Sequence, residues 1–245
     1  MKLAVAQTRP IKGDIAANVE NHRKMIEIAA SEGANVLVFP ELSLTGYESE
    51  LSKELATNIH DPRLEPLQQL SNNHSIVIGV GLPINTEGGV TISMVLFHPN
   101  KPRQVYAKQY LHASETPFFV SGKNDRTFIS NTKIALAICY ELSVAEHAEA
   151  AYKNGAKVYI ASVVEDTIDK AIVKLSNTAQ KYNMTVLMAN CAGQTGAYLC
   201  DGKSSIINKK GEILGQLDSS NEGLLIWDEK TDFIKIFKNT EGYEL

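Results

Sequence analysis

Three ionisable side chains follow predicted strands, and their types match the parts of a nucleophilic catalyst. Glu41 comes after a continuous apolar run that ends in proline, Lys108 comes after a short strand pattern, and Cys139 comes after the apolar run 134–138. The carboxyl ends of strands in open α/β sheets line the crevice where ligands bind, so we expect the three side chains to share a pocket. Together they supply a base, a cation and a nucleophile.

A cysteine in such a pocket needs activation, because a free thiol is only about 3% ionised at pH 7. Glu41 could accept the thiol proton, and burial together with a second carboxylate, Glu115, would raise its pKa enough for it to return that proton later. Lys108 and the backbone N–H of Tyr140 could stabilise the oxyanion that forms when sulfur attacks a carbonyl or nitrile carbon. The alternative is that Cys139 is simply a small buried hydrophobe.

Alternating helix and strand patterns must position these groups. The predicted helices are 19–29, 61–70, 143–154 and 168–182, and the predicted strands are 1–7, 35–40, 75–82, 90–97, 104–107, 134–138, 157–162, 185–190, 203–208, 212–216 and 223–227. Residues 191–196 are predicted to turn, and the loop 109–127 is longer than a plain connection requires, as functional loops often are. This order predicts the α/β class with mixed sheets, in one domain spanning residues 1–245 with a C-terminal tail from about residue 230.

Composition excludes several classes of function. The 245 residues carry a formal net charge of -4 with the charges dispersed, which disfavours nucleic-acid binding. No stretch approaches the roughly 20 apolar residues of a membrane span, and the N-terminus has too short an apolar core for a signal peptide. The three cysteines, Cys139, Cys191 and Cys200, form no disulfide framework for a chain of this length, which favours the cytoplasm. The histidines are scattered and no Cys or His pair has ligand spacing, so we expect no metal and no cofactor.

A Cys-His hydrolase is the competing catalytic arrangement. His112, in the long loop, could serve as the base for Cys139. His147 is a poor candidate because it lies two helical turns beyond the cysteine.

Several motifs resemble the nitrilase or carbon-nitrogen hydrolase superfamily, in that family's order and from the first strand to about Trp227. They are Phe39-Pro40-Glu41-Leu42 with Thr45-Gly46-Tyr47, Tyr106-Ala107-Lys108 with Leu111, Glu115 with Phe119 and Ser121-Gly122, Ile138-Cys139-Tyr140-Glu141, and later Asn190, Gly193, Gly202-Lys203-Ser204-Ser205-Ile206 and Gly211-Glu212.

The resemblance implies a four-layer αββα sandwich with two mixed sheets, and a hydrolase that needs no metal. It implies that Cys139 is the nucleophile and forms a thioester with release of ammonia or an amine, that Glu41 is the general base, that Lys108 stabilises the tetrahedral intermediate, and that Glu115 is an auxiliary carboxylate. The expected substrate is a small linear amide of the ω-amide or N-carbamoyl type. Tyr47, Tyr140 and Ser162 are the expected substrate or oxyanion residues. Members of this family commonly dimerise, so we expect a homodimer or higher homo-oligomer through helices 143–154 and 168–182.

The sequence departs from the family pattern in ways that bear on the substrate. Leu142-Ser-Val-Ala precedes Glu146 where many members have an Arg and a Pro, and the interval from Lys108 to Glu115 is short. Ser162-Val-Val-Glu165 stands where others carry an aromatic residue, which predicts an unusual pocket. Thr45-Gly46-Tyr47 also resembles the glutaminase domain of NAD synthetase, but no synthetase domain follows, so we expect no ammonia channelling. An alternative from another class is a catalytically silent member that acts as a binding or structural module.

Overall fold

The computed structural model describes residues 1–123, 128–129 and 132–238. The strands are β1 Lys2–Gln7, β2 Val36–Val38, β3 Val77–Thr86, β4 Gly89–Phe97, β5 Gln104–Ala107, β6 Ile134–Ile138, β7 Val158–Val163, β8 Thr185–Asn190, β9 Ala192–Thr195, β10 Tyr198–Asp201, β11 Ser205–Ile207, β12 Ile213–Gln216, β13 Gly223–Asp228 and β14 Phe233–Lys238. The helices are α1 Ile15–Ser31, α2 Ser52–Leu55, α3 Glu65–His74, α4 Ala145–Lys153 and α5 Ile168–Tyr182.

Two large mixed sheets carry the strands that end at the predicted catalytic residues. The first has the order β14-β13-β1-β2-β3-β4-β5, and β1, β2 and β3 are parallel to one another. The second has the order β12-β11-β8-β7-β6, with β6, β7 and β8 parallel. A separate two-stranded hairpin, β9-β10, lies between the segments that build the second sheet.

Side-chain alternation along the central strands builds a layered core. In β1, Leu3 and Val5 belong to the apolar cluster between the two sheets, and Ala4 and Ala6 belong to the cluster that α1 and α3 cover. A third cluster packs α4 and α5 against the outer face of the second sheet. Successive strand residues point to opposite faces, so one short strand serves two layers. The αββα sandwich expected from the sequence is confirmed.

The helix α1 shows why the sequence selects these elements. Asp14 caps its first turn, with its carboxylate accepting a hydrogen bond from the Ala17 N–H at 3.0 Å. Val19, His22, Met25, Ile26 and Ala29 recur at helical spacing and are buried. The helix therefore docks one face on the first sheet, and Gly33, at φ 76°, follows its end.

Two segments differ from the sequence-based predictions. Residues 191–196 were expected to turn, but Ala192–Thr195 pairs with Tyr198–Asp201 as a hairpin, because only the glycine-containing tip turns. The expected tail from about residue 230 contributes the edge strand Phe233–Lys238, paired antiparallel with β13. Its two lysines, Lys235 and Lys238, suit an edge strand. Residues 239–245 lie outside the described part of the chain.

Two of the three cysteines form a local pair. Cys191 and Cys200 form a disulfide that closes the β9-β10 hairpin, with their Cα atoms 5.8 Å apart. Cys139 is free. The sequence predicted no disulfide framework and left this single pair unassigned, and the cytoplasmic location stays a prediction. Within the described residues, the helices are too short or too polar to cross a bilayer.

Candidate active site

Glu41 is held at the end of β2 by a tight backbone crossing. The chain turns immediately after Pro40, with Leu42 at φ 50°, and β3 passes directly beside the turn. A Cβ on Gly81 would lie 2.6 Å from the Pro40 carbonyl oxygen, so only glycine allows this approach. The Glu41 side chain is thereby fixed in the space between the two sheets, where it is 2% exposed.

Lys108 is fixed in the same space at the end of β5. Its backbone N–H donates to the Ile92 carbonyl at 2.8 Å, and its own carbonyl accepts from the Gly122 N–H at 2.7 Å. A Cβ on Gly122 would lie 2.5 Å from the Ala107 carbonyl oxygen, which explains the glycine in this loop. The lysine side chain is fully buried.

Cys139 stands on a sharp elbow between β6 and a 3-10 turn that spans Cys139–Ser143. Its φ of 44° lies in the left-handed region, which is uncommon for a residue with a side chain. Its sulfur lies 3.6 Å from the Val164 carbonyl oxygen, to which the thiol can donate. The residue is only partly buried, so the elbow presents the sulfur at the edge of the pocket.

The lysine ammonium joins two carboxylates in one buried cluster. Lys108 Nζ donates to Glu41 Oε1 at 2.8 Å and to Glu115 Oε1 at 2.6 Å. The Tyr47 hydroxyl donates to the same Glu115 oxygen at 2.5 Å, and the His112 backbone N–H donates to Glu115 Oε2 at 2.8 Å. Both oxygens of Glu115 are therefore engaged, whereas Glu41 Oε2 is buried without a hydrogen-bond partner among the described residues.

The charges in this cluster shift one another's pKa. Burial raises the pKa of Glu41 to about 7, against the opposing attraction of Lys108 and with a further increase from Glu115. Burial alone would lower the pKa of Lys108, but Glu41, Cys139 and Glu115 raise it overall, so the ammonium stays charged. Burial, Glu41 and Glu165 hold the pKa of the Cys139 thiol well above its usual range, although Lys108 opposes them. The resting sulfur is therefore a thiol beside a carboxyl that can exchange protons near neutral pH.

The β9-β10 hairpin supports the loop that carries Tyr47. The Thr195 hydroxyl accepts a hydrogen bond from the Tyr47 N–H at 2.7 Å, and the Tyr198 ring meets the Tyr47 ring edge-on at 5.1 Å. A cavity of about 630 Å³ lies against this contact, with Phe118 and Gln194 also in its wall. Tyr47 thus joins the catalytic cluster on one side to an open cavity on the other.

The other predicted site residues, Ser162, Tyr140 and His112, differ in burial and in hydrogen bonding. Ser162 is fully buried and its hydroxyl donates to the Phe39 carbonyl at 2.9 Å. That hydrogen bond links the two sheets and engages the hydroxyl that we expect to contact substrate. Tyr140 is exposed, with its ring edge-on to His112 at 5.3 Å, and its backbone N–H directly follows the nucleophile. The His112 ring hydrogen-bonds Ser114 at 2.8 Å, and the described hydrogen-bond contacts of the Cys139 sulfur do not include it.

A third buried carboxylate, Glu141, supports the elbow, and no role for it was expected from the sequence. Its Oε2 accepts from the Tyr106 hydroxyl at 2.6 Å and the Ile138 N–H at 2.8 Å. Its Oε1 accepts from the Gln109 N–H at 2.6 Å and, more weakly, from the Tyr110 N–H at 3.4 Å. Glu141 therefore ties the backbone before Cys139 to the backbone after Lys108.

The Glu141 network continues through two aromatic hydroxyls and a histidine. His147 Nε2 lies 2.9 Å from the Tyr106 hydroxyl, and Nδ1 lies 2.8 Å from the Tyr159 hydroxyl. Burial lowers the pKa of His147 although Glu141 opposes this effect, so the ring is neutral near pH 7. A proton on Nε2 lets Tyr159 donate to His147, His147 to Tyr106, and Tyr106 to Glu141. The sequence signal was Glu141 itself, two residues after the nucleophile.

Glu165 is a further acidic residue beside Cys139. Its Oε1 lies 3.9 Å from the Cys139 sulfur, within reach of a weak S–H hydrogen bond. Asn190 fixes the Glu165 backbone, because its side chain accepts from the Glu165 N–H at 3.0 Å and donates to the Glu165 carbonyl at 3.1 Å. The sequence analysis marked this position as a departure from the family without giving it a function.

The described residues hold no group of three or more His, Cys, Asp or Glu side chains that could bind a metal ion. The side chains that converge are instead those of a thiol, an ammonium and three carboxyl groups. This set can move a proton from sulfur to Glu41, place positive charge near a developing oxyanion, and return the proton to a leaving group.

Comparison with known proteins gives a family match and several relatives. The family model described as carbon-nitrogen hydrolase matches residues 2–234. The chain is 26% identical to a glutamine-dependent NAD(+) synthetase from Acinetobacter baylyi over 91% of its own length, but it spans only 43% of that protein. It is 24% identical to omega-amidase NIT2 from Danio rerio, covering 89% of this chain and 84% of the relative.

A solved structure shares the fold closely. A cysteine-to-alanine mutant of the amidase from Nesterenkonia sp. AN1, in complex with butyramide, superposes with a TM-score of 0.84 at 23% identity. The match covers 95% of this chain and 92% of the amidase. The layered architecture described above is therefore that of a solved amidase.

Proposed function

The chain belongs to the carbon-nitrogen hydrolase family, and we propose that it hydrolyses the C–N bond of a small linear amide through a thioester on Cys139. The observation that carries this proposal is the buried cluster in which Lys108 Nζ lies 2.8 Å from Glu41 Oε1, while the second oxygen of Glu41 has no partner in the described structure. A buried carboxyl with an unused oxygen and a pKa of about 7 is suited to accept and return a proton.

The first step is attack of sulfur on the amide carbon. Glu41 takes the thiol proton as the new S–C bond forms, so the thiolate need not exist in the resting enzyme. The carbonyl oxygen gains negative charge, which Lys108 and the Tyr140 backbone N–H stabilise. An ammonium has three donors and Lys108 uses two of them on Glu41 and Glu115, so one is left for the oxyanion.

The second step breaks the C–N bond. Glu41 gives its proton to the departing nitrogen, which leaves as ammonia or an amine, and the carbonyl reforms as a thioester. Water then attacks the thioester carbon while Glu41 accepts a proton from it. The C–S bond breaks, and the same carboxyl returns that proton to the departing sulfur. The products are a carboxylic acid and the free thiol, so protons and electrons balance over the cycle.

Glu115 and Tyr47 act on Lys108 in this scheme. Glu115 holds the ammonium 2.6 Å away, and the Tyr47 hydroxyl and the His112 N–H satisfy the remaining capacity of its carboxylate. With both oxygens engaged, Glu115 is suited to orient the lysine and to keep it charged rather than to exchange protons with substrate.

Two substrate classes are the candidates: ω-amides of dicarboxylic acids and N-carbamoyl compounds. The similarity to an omega-amidase supports the first class. The test is an ammonia-release screen of purified protein with short-chain amides, ureido acids and nitriles, using Cys139→Ala as the control. We expect amide-dependent ammonia release by the wild-type protein and none by the variant. Equal release by both proteins would overturn the proposal.

A catalytically silent module is the second candidate, as it was from the sequence. The intact cluster of Cys139, Lys108 and Glu41 favours catalysis over that alternative. Treatment with iodoacetamide distinguishes the two candidates. If Cys139 is an active nucleophile, amide turnover should be lost in proportion to the alkylation of Cys139. Full alkylation of Cys139 with no amide turned over before or after treatment would favour the silent module.

We also propose that the chain forms a homo-oligomer through α4 and α5. Tyr152 on α4 and Val173 on α5 are 49% and 59% exposed, which leaves large apolar side chains uncovered in the single chain. Light scattering on the purified protein should give a mass of at least two chains, and Val173→Lys should lower it. A monomeric wild-type protein would contradict this proposal.

A further inference from the structure

Glu165 brings a carboxylate to the side of the nucleophile that Val164 occupies. The Val164 carbonyl oxygen lies 3.6 Å from the Cys139 sulfur, and Glu165 Oε1, one residue on, lies 3.9 Å from it. In the thioester the acyl carbon is one bond from sulfur. Groups on the first few atoms of an acyl chain that extends toward this side of the sulfur would lie within hydrogen-bonding distance of this carboxylate.

The position of Glu165 is built into the fold rather than left to a mobile side chain. Asn190 bonds both the N–H and the carbonyl of Glu165, and its Nδ2 also donates to the Gly202 carbonyl at 2.8 Å. The Asn190 backbone N–H donates to the Ser204 hydroxyl at 2.9 Å. The end of β8 and the strand that follows the hairpin thus hold Glu165 beside the sulfur.

The Glu165 carboxylate has no strong partner in the described residues. Its contacts are long ones, to the Thr167 hydroxyl at 3.5 Å and to the Cys139 sulfur at 3.9 Å, and no ion pair within 4.0 Å includes it. Lys174 acts on it only from a distance and donates instead to the Ser143 hydroxyl at 2.7 Å. Burial raises the pKa of Glu165, as expected for a half-buried carboxyl that lacks a neutralising contact.

The charge balance around the sulfur points to the kind of group that would complete this site. Lys108 is already shared between Glu41 and Glu115, and among the described residues no second cation contacts the sulfur or Glu165. A substrate carboxylate placed here would meet Glu165 with nothing to compensate its charge. An ammonium or an N–H donor would meet an acceptor that is otherwise unused.

We infer that Glu165 is a specificity-determining residue that selects amides or N-carbamoyl compounds bearing an ammonium or N–H donor near the reacting carbonyl, and that it disfavours those bearing a carboxylate there. The inference rests on the proposed function, because it assumes that Cys139 is acylated. It ranks substrates within both candidate classes by charge: a compound with an amino group near the reacting carbonyl comes before one with a carboxylate there, such as the ω-amide of a plain dicarboxylic acid.

A second base for the thiol is the other role that this geometry allows. The two roles predict different behaviour of Glu165→Gln. Loss of a base slows every amide to the same degree, whereas loss of a selecting charge changes the order of preference among substrates of different charge.

The test compares three amides with the same two-methylene spacer: β-alaninamide with an ammonium, butyramide with a methyl group, and succinamic acid with a carboxylate. We expect the wild-type kcat/KM to be highest for β-alaninamide and lowest for succinamic acid. In Glu165→Gln, the preference for β-alaninamide over butyramide should fall about tenfold or more, and succinamic acid should improve relative to butyramide.

Asp166→Asn is the matched control, because it removes the same charge from the neighbouring, exposed residue. We expect it to leave the order of the three amides unchanged. Unchanged ratios in Glu165→Gln, or an equal loss on all three amides, would overturn the inference while leaving the proposed function standing. If the wild-type protein releases ammonia from none of the three, the proposed function fails and this inference fails with it.

Discussion

Two buried carboxylates, Glu41 and Glu141, lie near the same nucleophile and differ in how completely their oxygens are bonded. Both oxygens of Glu141 accept hydrogen bonds from backbone N–H groups, and one also accepts from the Tyr106 hydroxyl. Glu41 accepts from Lys108 at one oxygen and has a buried oxygen without a partner in the described structure. The hydrogen-bonding oxygens of Glu141 are all engaged, whereas one oxygen of Glu41 is not engaged by any described residue.

This difference separates a carboxylate with a structural role from one suited to proton transfer. A carboxylate whose two oxygens both accept hydrogen bonds from the backbone suits a cross-link between backbone segments. A carboxylate with an unused buried oxygen has a raised pKa, which makes it less favourable for folding and more useful for proton transfer. Substitutions at Glu41 and Glu141 test this division.

Glu41→Gln should give the largest effect on activity. The amide cannot accept the thiol proton, so we expect kcat/KM for a neutral amide to fall by about a hundred- to ten-thousandfold. The glutamine oxygen can still face Lys108 while its NH2 takes the unbonded side, so the free energy of unfolding at pH 7 should change by less than about 1.5 kcal/mol. Ammonia release and urea denaturation measure the two quantities. A large stability loss with retained activity would reverse the assignment.

Glu141→Gln should have the opposite balance. In either orientation of the glutamine amide, the NH2 group replaces one carboxylate oxygen and cannot accept a hydrogen bond. The backbone N–H of Ile138 or that of Gln109 therefore loses its acceptor. We expect the free energy of unfolding to fall by about 2–4 kcal/mol because a buried donor is left unpaired. Urea denaturation at fixed pH provides the value. Stability equal to the wild type would mean that Glu141 is not the cross-link proposed here.

The pH dependence should follow Glu41. Since this base must be ionised and its pKa is about 7, kcat/KM for a neutral amide should fall about tenfold per pH unit on the acid side of that value. A profile that stays flat down to about pH 5 would contradict a role for Glu41 as base.

The same pKa shift predicts an effect on stability with a definite sign. The folded protein holds the Glu41 proton to higher pH than the unfolded chain, for which the reference pKa is 4.5. The stabilisation from this group is therefore fully present below about pH 4.5 and is lost as the pH rises through about 7. Glu41→Gln lacks the group, so its stability relative to the wild type should rise across that interval. Denaturation curves at several pH values check this, and a relative fall would show the opposite sign.

Two tyrosine variants should give the smallest effects and sharpen the comparison. Tyr106→Phe removes one donor from Glu141 and should cost about 1 kcal/mol of unfolding free energy. Tyr47→Phe removes the donor to Glu115 and should lower kcat about three- to tenfold through a less well oriented Lys108. Parallel measurement of kcat and unfolding free energy separates them. If Tyr106→Phe were the variant that lost activity, the two networks would not be separate in function.

The residues of the proposed triad could be expected to lie together because each one follows the end of a strand. The apolar runs before Glu41, Lys108 and Cys139 mark buried strands, and strands of stacked sheets deliver their end residues to a common space. The layered fold followed from the same alternation of patterns and from the resemblance to a family. These features can be recognised from the local sequence without knowing how the loops are arranged.

The supporting residues could not be predicted in the same way, because their roles depend on loops that meet only in the folded chain. Glu141 bonds Gln109, which is 32 residues away, and nothing in either segment indicates the partner. A serine can donate a hydrogen bond to an oxyanion, but the Ser162 hydroxyl donates to the Phe39 carbonyl on the facing sheet. The hairpin beside Tyr47 was missed because Gly193 and Gly196 indicate a turn more strongly than four-residue strands indicate pairing.

The most direct test is intact-protein mass spectrometry on enzyme quenched with acid during turnover of butyramide. The account predicts a fraction of the protein heavier by one butyryl group, the added mass located on Cys139 after proteolysis, and no such species in Cys139→Ala. Turnover of the amide with an adduct on a different residue, or at an undiminished rate in Cys139→Ala, would contradict it.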